Sequence, residues 1–190
     1  PDAVVARMDL DTTKTKNSYE AIINDFQNRK IDILVGTQMI TKGLDLDNVS
    51  VVGILNADSI INFPDFRSYE RAFSQMVQVS GRAGRKFHRG KVIIQTFNPY
   101  HQSIRDVIDH NYTSMYESQI LERKVFKYPP YYRLIKISLL HREKPTLEKF
   151  ADEFGIKLKE IFGGRILGPE FPLIPRIKNN YSMEFWLKVE

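Results

Sequence analysis

Cysteine is absent from this sequence of 190 residues, so the chain can form neither disulfides nor thiolate metal sites. Its four histidines lack the close spacing that a ligand set requires. We therefore expect no metal site built by this chain alone. Long hydrophobic runs are absent too, since none approaches the roughly 18 residues of a membrane helix and no signal peptide opens the chain. The protein is therefore predicted to be cytoplasmic, with no membrane partner.

A large excess of one charge sign is also missing, because 28 Lys and Arg residues exceed 23 Asp and Glu residues by only five. This balance permits a polyanionic partner and does not require one. With 42% hydrophobic residues, the chain suits one large globular domain or two small ones with a buried core. It begins without methionine, inside a predicted strand, which indicates an excerpt from a longer protein.

Four apolar runs rich in β-branched residues, "AVVARM", "DILVGT", "VSVVGIL" and "KVIIQTF", occur in the first hundred residues. Each run is continuous rather than alternating, which is typical of strands buried on both faces of a parallel sheet. Between them, Ser18 can cap a helix that runs to about Asn28. A second helix carries an apolar stripe of Tyr69, Ala72, Phe73, Met76 and Val77. Residues 1 to about 97 therefore read as an α/β unit.

Beyond Pro99 the pattern changes to two helical segments, at about 101–110 and 112–126, which the Pro pair of "KYPPYYR" stops. A strand "RLIKISLL", a helix with an apolar face that ends at two glycines, and a strand "SMEFWLKV" follow. These elements predict a small α+β domain at residues 131–190, after a first domain at residues 1–130.

The stretch "QVSGRAGRKFHRGK" holds five basic residues and no acidic one. Gln78 lies opposite the apolar stripe of the preceding helix, so its side chain should point away from the core. If the helical turns continue, Arg82 and Arg85 follow on the same side. Arginine suits phosphate because its planar fork donates paired hydrogen bonds, and Gly81 lets the backbone approach closely. The alternative is a solvated basic turn before the next strand.

A second candidate is "VGTQMITKGLDLDNV", which follows a predicted strand as ligand loops do in parallel sheets. Its possible donors to phosphate are Thr37, Gln38, Thr41 and Lys42. Gly43 allows a tight turn, and Asp45 can accept a hydrogen bond from a ribose hydroxyl. The alternative is a polar loop with a capping Thr and a turn Gly.

The chain lacks the parts that would hold a nucleotide by themselves. No Gly-x4-Gly-Lys-Ser/Thr loop occurs, and no strand carries an Asp-Glu pair for magnesium. Asp9 and Asp11 in "RMDLDTTK" are either a catalytic pair or turn carboxylates. Any phosphate cradle used by the arginines must therefore come from elsewhere.

Taken together, these motifs resemble the second RecA-like lobe of a superfamily 2 helicase. Residues 37–49 resemble motif V of that lobe, and residues 78–85 resemble motif VI. The stretches "PDFRSYERAF", "GKVIIQTFNPYH", "ERKVFKYPPYYRL" and "ILGPEFPLIPR" are similar to the primosomal replication-restart helicases. The resemblance extends over nearly the whole chain.

The resemblance implies an α/β RecA-like lobe followed by a small α+β domain that stops before its final elements. It implies part of an ATP-dependent 3′ to 5′ DNA helicase that acts in replication restart at stalled forks. ATP and magnesium would bind a site completed by a first lobe, and zinc would bind a cysteine-rich insertion that this chain lacks. Implied partners are single-stranded and forked DNA, single-stranded DNA-binding protein and primosome proteins. The chain alone is expected to be inactive.

Residue roles follow from the motif matches. Arg85 would be the arginine finger, Arg82 a second phosphate contact and Gln78 a coupling residue. Residues implied near the nucleotide are Gly43, Asp45 and Gly81. Residues that motif V implies at DNA are Thr37, Gln38 and Lys42. In the second domain, which in the family helps bind DNA, the candidates are Arg176 and Lys178, because they carry positive charge beside aromatic rings. Asn56 stands where the family often has Asp, which leaves its catalytic role open.

Aromatic residues of the last strand allow two interpretations. Tyr181, Phe185 and Trp186 could stack on bases beside the positive charges, or Phe185 and Trp186 could fill the core. Two functional alternatives also stay open. One is a non-catalytic DNA- or protein-binding module on a RecA-like scaffold, and the other is a different superfamily 2 translocase, against which "PDFRSYERAF" argues.

Overall fold

The structure is a computed structural model in which the described residues are 2–9, 16–37, 49–84 and 90–190. The chain divides into two compact units, residues 1–119 and residues 120–190. The domain boundary predicted at residues 130 and 131 falls within the second unit, and it stays a prediction.

The first unit contains the four predicted strands. β1 (Val5–Met8) pairs in parallel with β2 (Ile33–Gly36), and β3 (Val51–Ile54) pairs in parallel with β4 (Lys91–Ile94). In the described part of the chain, the two pairs form separate two-stranded sheets. The prediction of an α/β unit with parallel strands is therefore confirmed.

Burial of these strands on both faces was expected from their continuous apolar runs, and this expectation is wrong. In β3, Val52 and Ile54 are buried, whereas Val51 is 56% exposed. In β4, Val92 and Ile94 pack against the core, whereas Ile93 is exposed. The physical reason is that, among the described residues, the core cluster that contains Val92 and Ile94 packs on one face of the β3–β4 pair.

The helices of the first unit are α1 (Lys16–Gln27), α2 (Ala57–Ile61), α3 (Ser68–Ser80), α4 (Gln102–Ile108) and α5 (Tyr112–Val125), of which α5 continues into the second unit. Ser18 lies inside α1, so it does not cap that helix. On α3, the predicted stripe is confirmed, because Ala72, Phe73 and Met76 are buried and Tyr69 packs against them. No helix in the described ranges is long and apolar enough to span a membrane.

The second unit contains β5 (Arg133–His141), α6 (Lys144–Phe162), β6 (Ile166–Glu170), β7 (Arg176–Ile177) and β8 (Asn180–Val189). The strands form an antiparallel sheet in the order β5-β8-β6, and β7 pairs with β8. α6 covers one face of this sheet, where Leu147 and Ala151 meet the fully buried Phe185. At its end, Gly163 adopts a φ of 58°, as expected for a glycine that terminates a helix. The predicted α+β fold of this region is confirmed.

Candidate functional site

The turn after α3 begins the stretch that resembles motif VI. The backbone N–H of Gly81 donates to the Val77 carbonyl at 3.0 Å, and that of Arg82 donates to the Val79 carbonyl at 3.0 Å. The second bond spans only three residues, so the helix tightens and ends. Gln78 is exposed, as its position opposite the stripe predicts. The helical turns do not continue far enough to align Arg82 with Gln78 on one helix face.

Gly84 connects this turn to the stretch that resembles motif V. Its backbone N–H donates to the Val49 carbonyl at 3.0 Å, and its φ of 76° is one that glycine adopts without strain. Val49 lies two residues before β3, and the backbone N–H of Lys91, at the start of β4, donates to the Ser50 carbonyl at 2.9 Å. The ends of both motif-like stretches therefore meet at the amino-terminal edge of β3 and β4.

Gly90 packs directly against the backbone of the same turn. A Cβ atom at Gly90 would lie 2.4 Å from the Ala83 carbonyl carbon and 2.5 Å from the Gly84 nitrogen. Neither backbone atom can give way as a flexible side chain would. Glycine at this position therefore fixes the turn beside the strand edge.

We expect Gly90→Ala to lower the free energy of unfolding of the first unit by about 1–3 kcal/mol, because the overpacked turn must shift. The shift should also break the bond from Gly84 to Val49, so hydrogen exchange at the Gly84 amide should accelerate. Gly53→Ala is the matched control, since a Cβ there meets nothing within 4 Å. Unchanged exchange at Gly84 in the Gly90→Ala variant would contradict the prediction.

The predicted site residues of the first unit fall into three groups. Gln78, Gly81 and Arg82 lie in and after the last turn of α3, near the amino-terminal edge of β3. Thr37 is exposed and directly follows β2, so it lies at the carboxyl-terminal end of that strand. Outside the described residues are Gln38, Lys42, Gly43, Asp45 and Arg85.

At the carboxyl-terminal edge of β3 and β4, the Asp58 carboxylate is held by hydrogen bonds that were not predicted from the sequence. The Asp58 carboxylate accepts hydrogen bonds from the Phe97 backbone N–H at 3.0 Å and from the Thr96 hydroxyl at 2.9 Å. These bonds favour the ionised form, so they lower the pKa of Asp58 despite the opposing effect of desolvation. Asp58 thereby ties α2 to the segment after β4.

Because its pKa is lowered in the folded state, Asp58 stabilises the fold above its ordinary pKa near 3.8, and this contribution is lost as the pH falls below that value. We expect Asp58→Asn to lower the Tm of the first unit by a few degrees at pH 7. The difference from the original protein should shrink as the pH falls from 5 to 3. Thermal melts across this range measure it, with the exposed Asp109→Asn as control. A difference independent of pH would contradict the assignment.

Asn56 adopts a left-handed conformation with φ 51° and ψ 56° immediately before α2. Asparagine tolerates this conformation better than most residues with a side chain. Its side chain makes no capping hydrogen bond, and its backbone N–H donates to Gln95 Oε1 at 3.3 Å. The backbone geometry is therefore compatible with Asn at this position.

The basic residues predicted to touch DNA in the second unit are both exposed. The Arg176 guanidinium lies 5.1 Å from the centre of the Tyr181 ring and also binds the Asn179 side chain. Lys178 follows in the turn between β7 and β8, with a φ of 47°. The Tyr181 ring, which was predicted to stack on bases, thus already contacts the Arg176 guanidinium.

The structure separates the other two rings of β8. Phe185 is fully buried, so its core-filling interpretation is confirmed and a role in base stacking is excluded. Trp186 is half-buried on the opposite face of the strand, where the Lys136 ammonium lies 5.4 Å from the ring centre. Filling the core under α6 is therefore the wrong interpretation of Trp186, because adjacent residues of a strand point to opposite faces.

A carboxylate near the start of the chain forms an ion pair with an arginine. Asp9 follows β1 and lies 2.6 Å from the Arg7 Nε, whereas Asp11 lies outside the described residues. Within residues 2–9, 16–37, 49–84 and 90–190, no group of three or more His, Asp or Glu side chains could hold a metal ion. Asp9 thus has an arginine partner, and the choice between a catalytic pair and turn carboxylates stays a prediction.

Comparison with known proteins assigns both units. A family model for the helicase conserved C-terminal domain matches residues 5–87, and one for the primosomal protein N C-terminal domain matches residues 124–190. The replication restart protein PriA of Bacillus subtilis is 44% identical over 99% of this chain, and that of Synechocystis is 40% identical over 99%. The PriA of Treponema pallidum is 34% identical over 99%.

The chain spans only about a quarter of the length of these relatives, at 24%, 23% and 29% respectively. The two family models match in the same order as the two units. The resemblance to primosomal replication-restart helicases is thereby confirmed, and the chain belongs to the family of the replication restart protein PriA.

Proposed function

We propose that the first unit is the second, RecA-like lobe of an ATP-dependent DNA helicase that acts in replication restart at stalled forks. The observation that carries this proposal is the hydrogen bond from the Gly84 N–H to the Val49 carbonyl. It joins the ends of the two stretches that resemble motifs V and VI. In a motor lobe, one of these stretches would face DNA and the other the nucleotide.

Arg85 and Arg82 would act on the γ-phosphate of ATP held by another lobe. As the γ-phosphoryl group passes to water, negative charge spreads over its oxygens, and guanidinium groups stabilise that charge. Arg85 directly follows Gly84, whose backbone is bound to Val49. The close contact of Gly90 with Ala83 and Gly84 restricts the turn further. Both constraints restrict the backbone of the described turn, which ends at Gly84.

The remaining parts of the proposal follow the motif matches. Gln78 would couple the two sites, and Gly43, Asp45 and Gly81 would lie near the nucleotide. Magnesium would neutralise the phosphates and would be held by residues outside this chain. Residues proposed to contact the DNA backbone are Thr37, Gln38, Lys42, Arg176 and Lys178. We further propose single-stranded DNA-binding protein and primosome proteins as partners of the whole protein.

DNA-stimulated ATP hydrolysis tests the proposal in a chain of the relatives' full length. Arg85→Ala should abolish most of the turnover and leave DNA binding in place. Unchanged turnover would contradict a motor function for this unit. The 190-residue chain alone should not hydrolyse ATP, because it lacks a phosphate cradle.

A further inference from the structure

A lysine of β8 contacts the end of α5 in the second unit. The Lys188 ammonium donates a hydrogen bond to the backbone carbonyl of Phe126, one residue after α5 ends, at 2.7 Å. The same ammonium lies 4.3 Å from the centre of the Tyr128 ring, as in a cation–π contact. Its partner residue across the sheet is the apolar Leu134. Lys188 is therefore a half-buried lysine whose polar partner is an uncharged oxygen.

The surroundings of Lys188 differ from those of a lysine in an ion pair. Lys136 lies on the same face of the sheet, and its ammonium is 2.5 Å from a carboxylate oxygen of Glu184. For Lys188, by contrast, no carboxylate is a partner in the described part of the chain. A carboxylate favours the charged form of a neighbouring lysine, so Lys188 lacks the interaction that would best hold its proton.

A second ammonium lies close enough to repel Lys188. α5 ends with a hydrogen bond from the Tyr128 N–H to the Arg123 carbonyl at 2.8 Å, and there the exposed Lys127 has a φ of 58°. The Lys127 ammonium lies 5.7 Å from the centre of the Tyr132 ring. Desolvation, and secondly repulsion from Lys127, lower the pKa of Lys188. One lysine of this pair is thus partly desolvated, whereas the other is exposed.

This arrangement suits Lys188 to act as a nucleophile. A lysine attacks an acyl carbon only as the free amine, and both desolvation and a neighbouring cation increase the fraction of free amine. The free amine still has N–H donors, so it can keep its bond to Phe126 while its lone pair is available for attack. The exposed Lys127 ammonium attracts anions, and it therefore favours a donor whose leaving group carries negative charge.

We propose that Lys188 is an acylation site that takes its acyl group from an acyl phosphate, with Lys127 binding the phosphoryl group of the donor. The Lys188 nitrogen attacks the acyl carbon, a C–N bond forms, and the C–O bond to the phosphoryl group breaks. The departing phosphate takes the proton that the nitrogen loses. The product is an uncharged amide, so acylation removes the repulsion between the two lysines. This inference goes beyond the proposed function and does not rest on it.

Limited acetylation of the 190-residue chain with acetyl phosphate, at mildly alkaline pH, tests the proposal. Amines that have not reacted are then labelled with deuterated acetic anhydride, and fragment-ion mass spectrometry gives the reacted fraction of each lysine. Lys188 should react about three- to tenfold faster than Lys157 and Lys178, which are both exposed. In the urea-unfolded chain, the three lysines should react at similar rates. Similar rates in the folded chain would overturn the proposal.

Lys127→Gly tests the role of the second lysine. Glycine suits the local backbone, and Trp186 fluorescence reports whether the second unit stays folded. Acetylation of Lys188 by acetyl phosphate should slow by about three- to tenfold, because both the phosphoryl contact and the repulsion are lost. Arg29→Gly is the matched control, since Arg29 is also exposed with a φ of 59° and lies in the first unit. Equal rates at Lys188 in the two variants would overturn the proposal.

A neutral acyl donor separates the two effects of Lys127. With N-hydroxysuccinimidyl acetate, Lys127→Gly should slow the acetylation of Lys188 less than with acetyl phosphate, because this donor has no anionic group for Lys127 to bind. An equal loss with the two donors would overturn the role of Lys127 in binding the donor. These measurements use neither nucleotide nor DNA, so their failure would leave the ATPase proposal intact.

Discussion

Replacement of Arg85 by Ala is expected to lower the kcat of DNA-stimulated ATP hydrolysis by about 10³- to 10⁵-fold in a chain of the relatives' full length. The loss is large because an arginine finger acts on charge that develops mainly in the transition state. The KM for ATP should change much less than kcat, since in the proposed function the phosphate cradle that holds ATP in the ground state lies outside this chain. Steady-state phosphate release with saturating single-stranded DNA measures both constants.

Two further variants show whether a loss of kcat comes from the guanidinium of Arg85 or from the loss of a positive charge in general. Lys91→Ala removes an exposed cation at the start of β4 and should leave kcat within about twofold. Arg85→Lys keeps the charge and should still lose most of the activity, because an ammonium cannot reproduce the planar fork of a guanidinium. Full activity of Arg85→Lys would indicate that only net charge matters at this position.

Replacement of Phe185 by Ala is expected to lower the free energy of unfolding of the second unit by about 3–5 kcal/mol. The Phe185 side chain is fully buried, and its ring lies edge-on to Phe154 at 5.7 Å between centroids. A Cβ on Gly155 of α6 would lie 3.2 Å from the same ring, so helix and strand meet closely here. The cavity left by the ring cannot be refilled without moving α6.

Urea unfolding followed by Trp186 fluorescence measures this loss, since the chain has a single tryptophan and it lies in the second unit. Leu140→Ala is the control, because Leu140 is 65% exposed on the face of β5 away from the core and should change stability by less than about 0.5 kcal/mol. Equal midpoints for the two variants would show that Phe185 does not hold the core together.

Periodicity predicted most helices and strands because it depends on local residue order alone. The stripe from Tyr69 to Val77 and the strands β5 and β8 are cases in which one apolar pattern had one structural solution. The prediction that β3 is buried on both faces was wrong for a different reason. A continuous apolar run shows that both faces are apolar, but it does not show which neighbours cover them, and Val51 remains exposed.

Contacts between residues that lie far apart in the sequence could not be predicted from the sequence alone. Asp58 and Phe97 are 39 residues apart, and no local pattern indicates that they share a hydrogen bond. β6 was not predicted either, since it contains Gly168 with a φ of 107° and then Pro169, residues that interrupt a strand pattern. The close contact of Gly90 with Ala83 likewise depends on how the turn and β4 pack.

The hydrogen bond between Gly84 and Val49 has a thermodynamic consequence if the two stretches have the proposed roles. DNA that favours one position of Val49 would then also favour one position of the arginine that follows Gly84. Linkage requires the effect to be reciprocal, so the factor by which DNA changes ATP affinity equals the factor by which ATP changes DNA affinity. In the proposed function, this backbone bond would be one physical link through which the binding of DNA and the binding of ATP affect each other.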